Sequence, residues 1–247
     1  MPRVRRRSRR RTLRRIVALL LVFLLAGVLL IVAAYSISIR TPAWWHPPDP
    51  RHKGVAERAE SLESLIADEL SRADRPGTLA DTGRWSSEPW TLRVTDLEAS
   101  SWLNARLARW AENRIEDLHW PSELESLQVS FTPGSVRVGV RVRLRDAPRV
   151  FWAELAPEVR DDSSIWLRRG WIYAGNLPLP AAMLARMGTA ALTTDAPRQL
   201  ISALLGDAPL LREPVIRLGD GRSVRVRAIE LRPGEVILTC TTEFEPP

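Results

Sequence analysis

The side chains that could perform catalysis are few and widely spaced in this chain of 247 residues. His46, His52 and His119 have no second metal ligand at the spacing typical of a helical site. The acidic pairs Asp161-Asp162 and Glu116-Asp117 are typical of solvated turns, and the sequence contains no nucleophile elbow, phosphate-binding loop, dinucleotide motif or Cys-x-x-Cys. The sequence therefore predicts a protein that is not an enzyme and uses no cofactor or metal; catalysis would require acids that converge from distant segments.

Arginines alternate with apolar residues over residues 135–146, SVRVGVRVRLRD, and this pattern allows two interpretations. The arginines either contact an acidic partner such as nucleic acid, or form the solvent face of a half-buried strand. The positions between them are apolar and form a candidate face for an apolar ligand. The arginines are Arg137, Arg141, Arg143 and Arg145, and the apolar positions are Val136, Val138, Val140, Val142 and Leu144.

The net charge of +7 is concentrated at the N-terminus. Residues 1–40 contain ten arginines and no acid, which leaves 26 basic and 29 acidic residues in the rest of the chain. Because the body of the protein is slightly acidic, nucleic acid is not an expected partner. The arginines of residues 135–146 are therefore predicted to face water.

An uncharged apolar segment, residues 16–39, follows the arginine-rich N-terminus. At about 1.5 Å per residue, it is long enough to cross a hydrocarbon core of about 30 Å as a helix. The basic flank predicts, by the positive-inside rule, a cytoplasmic tail at residues 1–15 and a C-terminal part on the opposite side. A cleaved signal peptide is the alternative, but its apolar core is usually about 7–15 residues long. We therefore predict a single-pass protein of the cell membrane.

Residues 40–53 are predicted to form a stiff spacer, rich in proline and tryptophan, beside the membrane. Indole rings are favoured near lipid headgroups. Each arginine near an anionic membrane surface contributes about 1 kcal/mol of attraction. The predicted membrane-surface residues are Arg5, Arg6, Arg7, Arg9, Arg10, Arg11, Arg14, Arg15, Trp44 and Trp45.

Helical patterns recur at four places beyond the spacer. Apolar residues follow helical spacing over residues 54–72 and predict an amphipathic helix that packs on a partner. Thr95, with Glu98 three residues later, matches a capping box at the start of a second helix. Further helices are predicted after Pro180 and over residues 197–205.

Patterns of period two predict most of the other elements. Pro133-Gly134 separates two alternating runs and suits the centre of a type II turn, which indicates a β-hairpin. The same order of strand, Pro-Gly and strand in residues 129–141 recurs in residues 229–241, as a weak internal repeat. The predicted strands are 90–94, 126–132, 135–145, 149–155, 165–174, 214–218, 222–231 and 235–242, with a loop at 73–89.

Together these elements predict an α+β fold. An N-terminal transmembrane helix is followed by an extracytoplasmic domain, residues 54–247, of long antiparallel strands packed on helices. The single cysteine, Cys240, alternates with Val236 and Leu238 and is expected to be a small buried side chain.

Two stretches resemble the YpmS-like membrane-anchored proteins. Residues 94–104, VTDLEASSWLN, are similar to a strand-then-helix signature that ends in Leu-Asn, and residues 150–183 are similar to a region that ends in Gly-x-Leu-Pro-Leu-Pro. The chain departs from the family pattern in its Asn176, in the serines before the Leu-Asn pair and in the helix at residues 54–72. The matched positions are Leu103, Asn104, Pro157, Gly175, Leu177, Pro178, Leu179 and Pro180.

The resemblance implies a tethered extracytoplasmic domain without implying an activity, because that family has no defined function. Its arrangement is similar to tubular lipid-binding modules, in which curved strands enclose an apolar groove. We therefore expect a non-enzymatic envelope protein that binds lipid or another hydrophobic ligand near the membrane. The alternative is an envelope scaffold or protein-interaction module; a hydrolase and a nucleic-acid-binding protein are further hypotheses.

Overall fold

The structure is a computed structural model and describes residues 5–80, 83–114, 119–144, 147–168, 171–179 and 208–244, with side chains from residue 19 onward. Several predicted features lie outside these ranges. They are the helices after Pro180 and over 197–205, Pro180 itself, Arg145, the pair Glu116-Asp117 and the side chains of Arg5 to Arg15.

The first helix, α1 (Arg5–Ser38), is continuous through the arginine tract and the apolar segment. Residues Leu19–Ser38 have a mean hydropathy of 2.8, and most of their side chains are exposed, whereas Ser38 at the end of the helix is buried. Its apolar side chains project outward along its whole length; Phe23, for example, is 73% exposed. An exposed helix of this length and composition is suited to a lipid environment, as a signal anchor or a signal sequence.

The rest of the described chain forms an α+β fold with two antiparallel sheets of six strands each, as predicted. The terminal sheet contains β1 (Gly77–Leu79), β2 (Trp85–Ser87), β3 (Trp90–Thr95), β10 (Val215–Arg217), β11 (Arg222–Arg232) and β12 (Glu235–Phe244). The central sheet contains β4 (Leu124–Thr132), β5 (Ser135–Arg143), β6 (Pro148–Val159), β7 (Ile165–Arg168), β8 (Ile172–Ala174) and β9 (Leu177–Leu179).

Two of these strands, β1 and β2, lie in the segment predicted as a loop, so that prediction was wrong. Both strands have only three residues, too few to show an alternating pattern in a stretch rich in Gly, Ser and Pro. Strand β2 forms because it pairs with the end of β12, where Glu243 lies opposite Ser86. The predicted strand at 165–174 is likewise divided into β7 and β8, which pair with different parts of β6.

Each sheet is built around one long Pro-Gly hairpin. Strands β4 and β5 meet at Pro133-Gly134, and β11 and β12 meet at Pro233-Gly234. Gly134 and Gly234 have φ angles of 75° and 78°, as the third position of a type II turn requires. The Gly234 N–H donates to the Phe131 carbonyl at 3.0 Å, so the two hairpins also contact each other near their turns.

A β-bulge at Arg227 brings the apolar residues of β11 onto one face. Val226 pairs with Cys240, but the next pair is Ala228 with Thr239, so Arg227 has no opposite residue. An uninterrupted strand would place Val226 and Ile229 on opposite faces because side chains alternate, and the extra residue reverses this alternation.

Cys240 lies on the buried face of β12 and is 3% exposed, which confirms the prediction of a small buried side chain. Burial raises the pKa of the thiol to about 11, because the thiolate would lose its hydration there. The thiol is therefore neutral at physiological pH and has little nucleophilic character.

Three helices, α2 (Lys53–Ser71), α3 (Asp96–Ala105) and α4 (Leu107–Arg114), accompany the sheets. The predicted amphipathic helix is confirmed in α2, which buries Val55, Ala59 and Leu62 and packs on α3. The predicted capping box is also confirmed: the Glu98 N–H donates to the Thr95 hydroxyl, and the Thr95 N–H donates to the Glu98 carboxylate.

Candidate membrane-proximal site

Helix α3 lies along the outer edge of the central sheet and satisfies the backbone of the edge strand β4. The Ser100 hydroxyl donates to the Val129 carbonyl at 3.1 Å and accepts from the Val129 N–H at 3.0 Å. One turn later, the Asn104 amide donates to the Leu127 carbonyl at 2.6 Å and accepts from the Leu127 N–H at 2.9 Å. Two side chains that lie four residues apart on α3 thus bond to the N–H and carbonyl groups of two residues that lie two apart on β4. The predicted signature residue Asn104 protects this edge from pairing with another chain.

The two tryptophans of the spacer pack on the central sheet at Gly139 of β5. Trp45 is 3% exposed, and its ring lies where a side chain at position 139 would otherwise stand. Trp44 is partly exposed and packs edge-on against Trp45 and Trp152, with ring centroids 5.6 Å apart in each case. Trp152 in turn stacks on Tyr173 at 3.9 Å. The tryptophans predicted to be at the membrane surface therefore belong to a cluster of rings on the sheet, and protein covers the ring of Trp45.

The backbone of the spacer is attached to the same sheet by Gln128 of β4. The Gln128 side chain accepts from the His46 N–H at 2.6 Å and donates to the Trp44 carbonyl at 3.1 Å. These two bonds join residues more than 80 positions apart in the sequence. Residues 44–46 are consequently part of the folded domain.

Gly139 also corrects the prediction that the whole arginine face of β5 is exposed to water. The ring cluster covers the middle of that face because glycine leaves space for Trp45. On either side of it the arginines form ion pairs, from Arg137 to Glu154 at 3.8 Å and from Arg143 to Glu125 at 2.7 Å. Among the arginines of β5 that the structure describes, only Arg143, with a side chain 70% exposed, is mainly solvated in the way that the alternation predicted.

Replacing Gly139 by alanine is expected to displace Trp45 and to lower the free energy of unfolding by about 1–3 kcal/mol. The new Cβ would lie 2.5 Å from Cζ3 of Trp45 and 3.0 Å from Cη2 of Trp44, and neither ring can bend away as a flexible chain would. Urea unfolding of the full chain in detergent, followed by tryptophan fluorescence, measures the effect. Ala153→Gly, on the other face of the sheet, is a control for altered strand propensity; an unchanged midpoint for Gly139→Ala would contradict the packing argument.

The C-terminal end of α1 docks on the turn between β8 and β9. The Asn176 N–H donates to the Ile37 carbonyl at 3.1 Å, and the same carbonyl also accepts from the Arg40 N–H at 3.3 Å. Gly175 has a φ of 56° and lies against the carbonyl oxygens of Ser38 and Arg40, so closely that no side chain fits. The guanidinium of Arg149 lies over the Tyr35 ring at 5.1 Å. The C-terminal end of α1 is therefore in direct contact with the central sheet.

The ring cluster and the docked end of α1 are connected through Gly175. Trp152 donates its indole N–H to the Gly175 carbonyl at 2.7 Å, while its ring contacts both Trp44 and Tyr173. The Gly175 N–H donates to the Val150 carbonyl at 2.7 Å. The signature residue Gly175 thus connects the apolar helix, the spacer tryptophans and the central sheet.

The opposite face of the central sheet carries the candidate apolar-ligand residues. Strand register places Val138 of β5 between Val129 of β4 and Ala153 of β6. Leu144 lies beyond the end of β5 and is 39% exposed. The register also places buried Ala174 on this face, and Arg149 at one end of it, opposite Val142. The other residues of this face, all apolar and partly exposed, are Leu124, Leu127, Phe131, Val136, Val140, Val142, Phe151, Leu155, Ile172, Leu177 and Leu179.

The remaining signature positions are divided between this face and the sheet edges. Leu177 and Leu179 of β9 lie opposite Ala174 and Ile172, on the apolar face. Pro178 lies between the two leucines and is exposed. The last two positions are Pro157, paired with Leu167 of β7, and Leu103, which lines a small cavity beside β4.

The candidate catalytic residues Asp162 and His52 both have local structural roles. Asp162 stabilises its own turn, since it accepts hydrogen bonds from the Ser164 N–H and hydroxyl, and these bonds lower the pKa of its carboxyl. His52 is the N-cap of α2, where its Nδ1 accepts from the Gly54 N–H at 3.2 Å. Within the described ranges, no group of three or more His, Cys, Asp or Glu residues is arranged to hold a metal ion.

The comparison with known proteins adds no family to these observations. No protein-family model matches the chain, and a search of curated proteins finds no significant match. The arrangement of the domain, the docked helix and the apolar face therefore carries the functional argument.

Proposed function

We propose that this chain is a single-pass membrane protein whose domain holds a lipid chain or another hydrophobic ligand beside the membrane, without covalent chemistry. Helix α1 is the uncleaved anchor, the arginine tract is cytoplasmic, and the domain is extracytoplasmic. We also propose that the chain is related to the YpmS-like proteins that it resembles. The observation that carries it is the position of the partly exposed apolar face, on the same sheet that docks the end of α1.

The contacts at the end of α1 favour an anchor over a cleaved signal. Tyr35, Ile37 and Ser38 lie in the apolar segment and contact Arg149, Asn176 and Gly175 of the domain. Cleavage before residue 40 would remove all three contacts and would leave Gly175 without the close neighbour that explains its conformation. The basic residues that precede the apolar segment favour a cytoplasmic N-terminus.

The partial exposure of the apolar face favours a hydrophobic ligand. Residues on the inner face of a packed sheet are usually fully buried, whereas Val136, Val138, Val140 and Val142 are each partly exposed. A continuous apolar surface of this kind is typical of a binding site. Its strands adjoin the helix that enters the membrane, so a lipid could reach the face over a short distance.

The test is photocrosslinking of the full chain in its native membrane. A benzophenone amino acid at Val138 is expected to form adducts with lipid, identified by mass spectrometry. The same probe at Arg143, on the opposite face and largely exposed, is the matched control and should form few such adducts. Adducts with lipid at neither position, or at both equally, would overturn the proposal. Adducts at Val138 only with another envelope protein would overturn it in favour of the scaffold alternative.

A further inference from the structure

A second candidate site lies on the terminal sheet, whereas the apolar face belongs to the central sheet. A cavity of about 450 Å³ is bounded by β2, β10, β11 and the end of β12. Register explains why polar side chains converge there: Ser223 of β11 lies between Arg217 of β10 and Glu243 of β12, and Glu243 pairs with Ser86 of β2. Four strands thus present one row of polar residues to the cavity.

The cavity has an excess of positive charge. Four arginines line it, Arg84, Arg217, Arg225 and Arg227, against two acids, Glu213 and Glu243. The arginines that line the cavity thus outnumber its acids. This excess stands out because the chain beyond residue 40 is slightly acidic.

Two of the arginines share one carboxylate. Arg225 donates from Nε to both oxygens of Glu243 at 3.2 Å, and Arg227 donates to Oε1 at 2.6 Å. Arg227 lies two residues after Arg225 in β11, and its Nε donates to the Thr241 hydroxyl at 3.0 Å. Glu243 thus orients both guanidinium groups but balances the charge of only one of them. Arg217 forms no ion pair with any described residue.

We propose that this cavity binds a phosphate group. Arginine donates pairs of parallel N–H bonds that match phosphate oxygens, and the cavity places Arg217 beside the paired Arg225 and Arg227. The hydroxyls of Ser86 and Ser223 provide further donors, and the rings of Trp85 and Phe244 line an apolar side. The same rings line a neighbouring cavity of about 290 Å³, which gives room for the group that carries the phosphate.

The test is a titration of the full chain in phosphatidylcholine nanodiscs with inorganic phosphate, followed by calorimetry and by ³¹P NMR line broadening. Arg217→Gln is expected to weaken the binding about tenfold, because it removes a charged donor. Arg217 is exposed and its side chain has no described hydrogen bond, so the fold should be unaffected, which thermal unfolding checks. Arg232→Gln is the matched control, since Arg232 lies in the neighbouring strand β11 of the same sheet but pairs with Glu230 outside the cavity.

Equal weakening by Arg217→Gln and Arg232→Gln would overturn the proposal, because it would show general attraction to a positive surface. Absence of phosphate binding to the wild-type chain would overturn it as well. Two further arms distinguish the sources of the group. If phosphatidic acid in the nanodisc competes with free phosphate, the natural ligand is a lipid headgroup. If it does not compete and glycerol 3-phosphate does, the ligand is a soluble phosphate ester. Neither arm depends on the apolar face of the central sheet.

Discussion

Replacing Gly175 by valine is expected to detach the end of α1 from the domain and to lower the free energy of unfolding by about 3 kcal/mol. Two causes add. The φ of 56° is strained for any β-branched residue, and the new Cβ would collide with the carbonyl oxygen of Ser38 and lie 2.6 Å from that of Arg40. Both contacts are backbone atoms, which cannot move away cheaply. Urea unfolding of the full chain in detergent measures the loss.

Gly134→Val separates the two causes. Gly134 has a similar φ, 75°, but nothing lies within 4 Å of the position of its Cβ, so this variant introduces strain without a collision. It should cost about 1 kcal/mol. Hydrogen exchange of the Asn176 amide provides a second readout, because this N–H donates to Ile37 only while the helix is docked. Equal stability of the two variants, with slow exchange at Asn176 in both, would show that the docking contact is not significant.

The second large effect is expected at Asn104. Asn104→Ala should lower the free energy of unfolding by about 3 kcal/mol, because it leaves both the N–H and the carbonyl of Leu127 without their partners at the edge of the central sheet. The variant should also self-associate, since an unprotected edge strand pairs readily with another chain. Chemical unfolding and analytical ultracentrifugation in detergent measure the two effects.

Asn104→Asp provides an intermediate case. Its carboxylate still accepts from the Leu127 N–H but cannot donate to the Leu127 carbonyl. Asn104→Asp should therefore lower the free energy of unfolding by about half as much as Asn104→Ala does. Asn176→Ala is the matched control, because Asn176 is exposed and its described bond to Ile37 comes from the backbone N–H. If Asn104→Ala is as stable as Asn176→Ala, the edge of β4 does not depend on α3.

Elements encoded by adjacent residues could be predicted from the sequence. The capping box of α3 needs only Thr95 and Glu98, and the hairpin turns need only a proline followed by a glycine. The buried stripe of α2 follows from the spacing of apolar residues within one helix. The bulge at Arg227 was missed, although the spacing of Val226 and Ile229 breaks the alternation and was the signal for it.

The sites depend on residues that are distant in the sequence. Asn104 and Gly175 could be singled out as signature positions, but their roles as an edge cap and as a docking point appear only when Leu127 and Ile37 are next to them. The arginine-lined cavity of the terminal sheet was not predicted, because its arginines belong to strands whose pairing brings them together and to a chain in which arginine is common.

The sequence by itself determined that a long uncharged helix precedes an α+β domain, because hydrophobic periodicity and turn residues act over a few positions. It also determined that one face of β5 is apolar. Only the tertiary structure decided what lies on the other face. The glycine at 139 carries no pattern of its own, yet the absence of a side chain makes it the place where Trp45 packs. That contact depends on the meeting of distant segments, which local preferences do not encode.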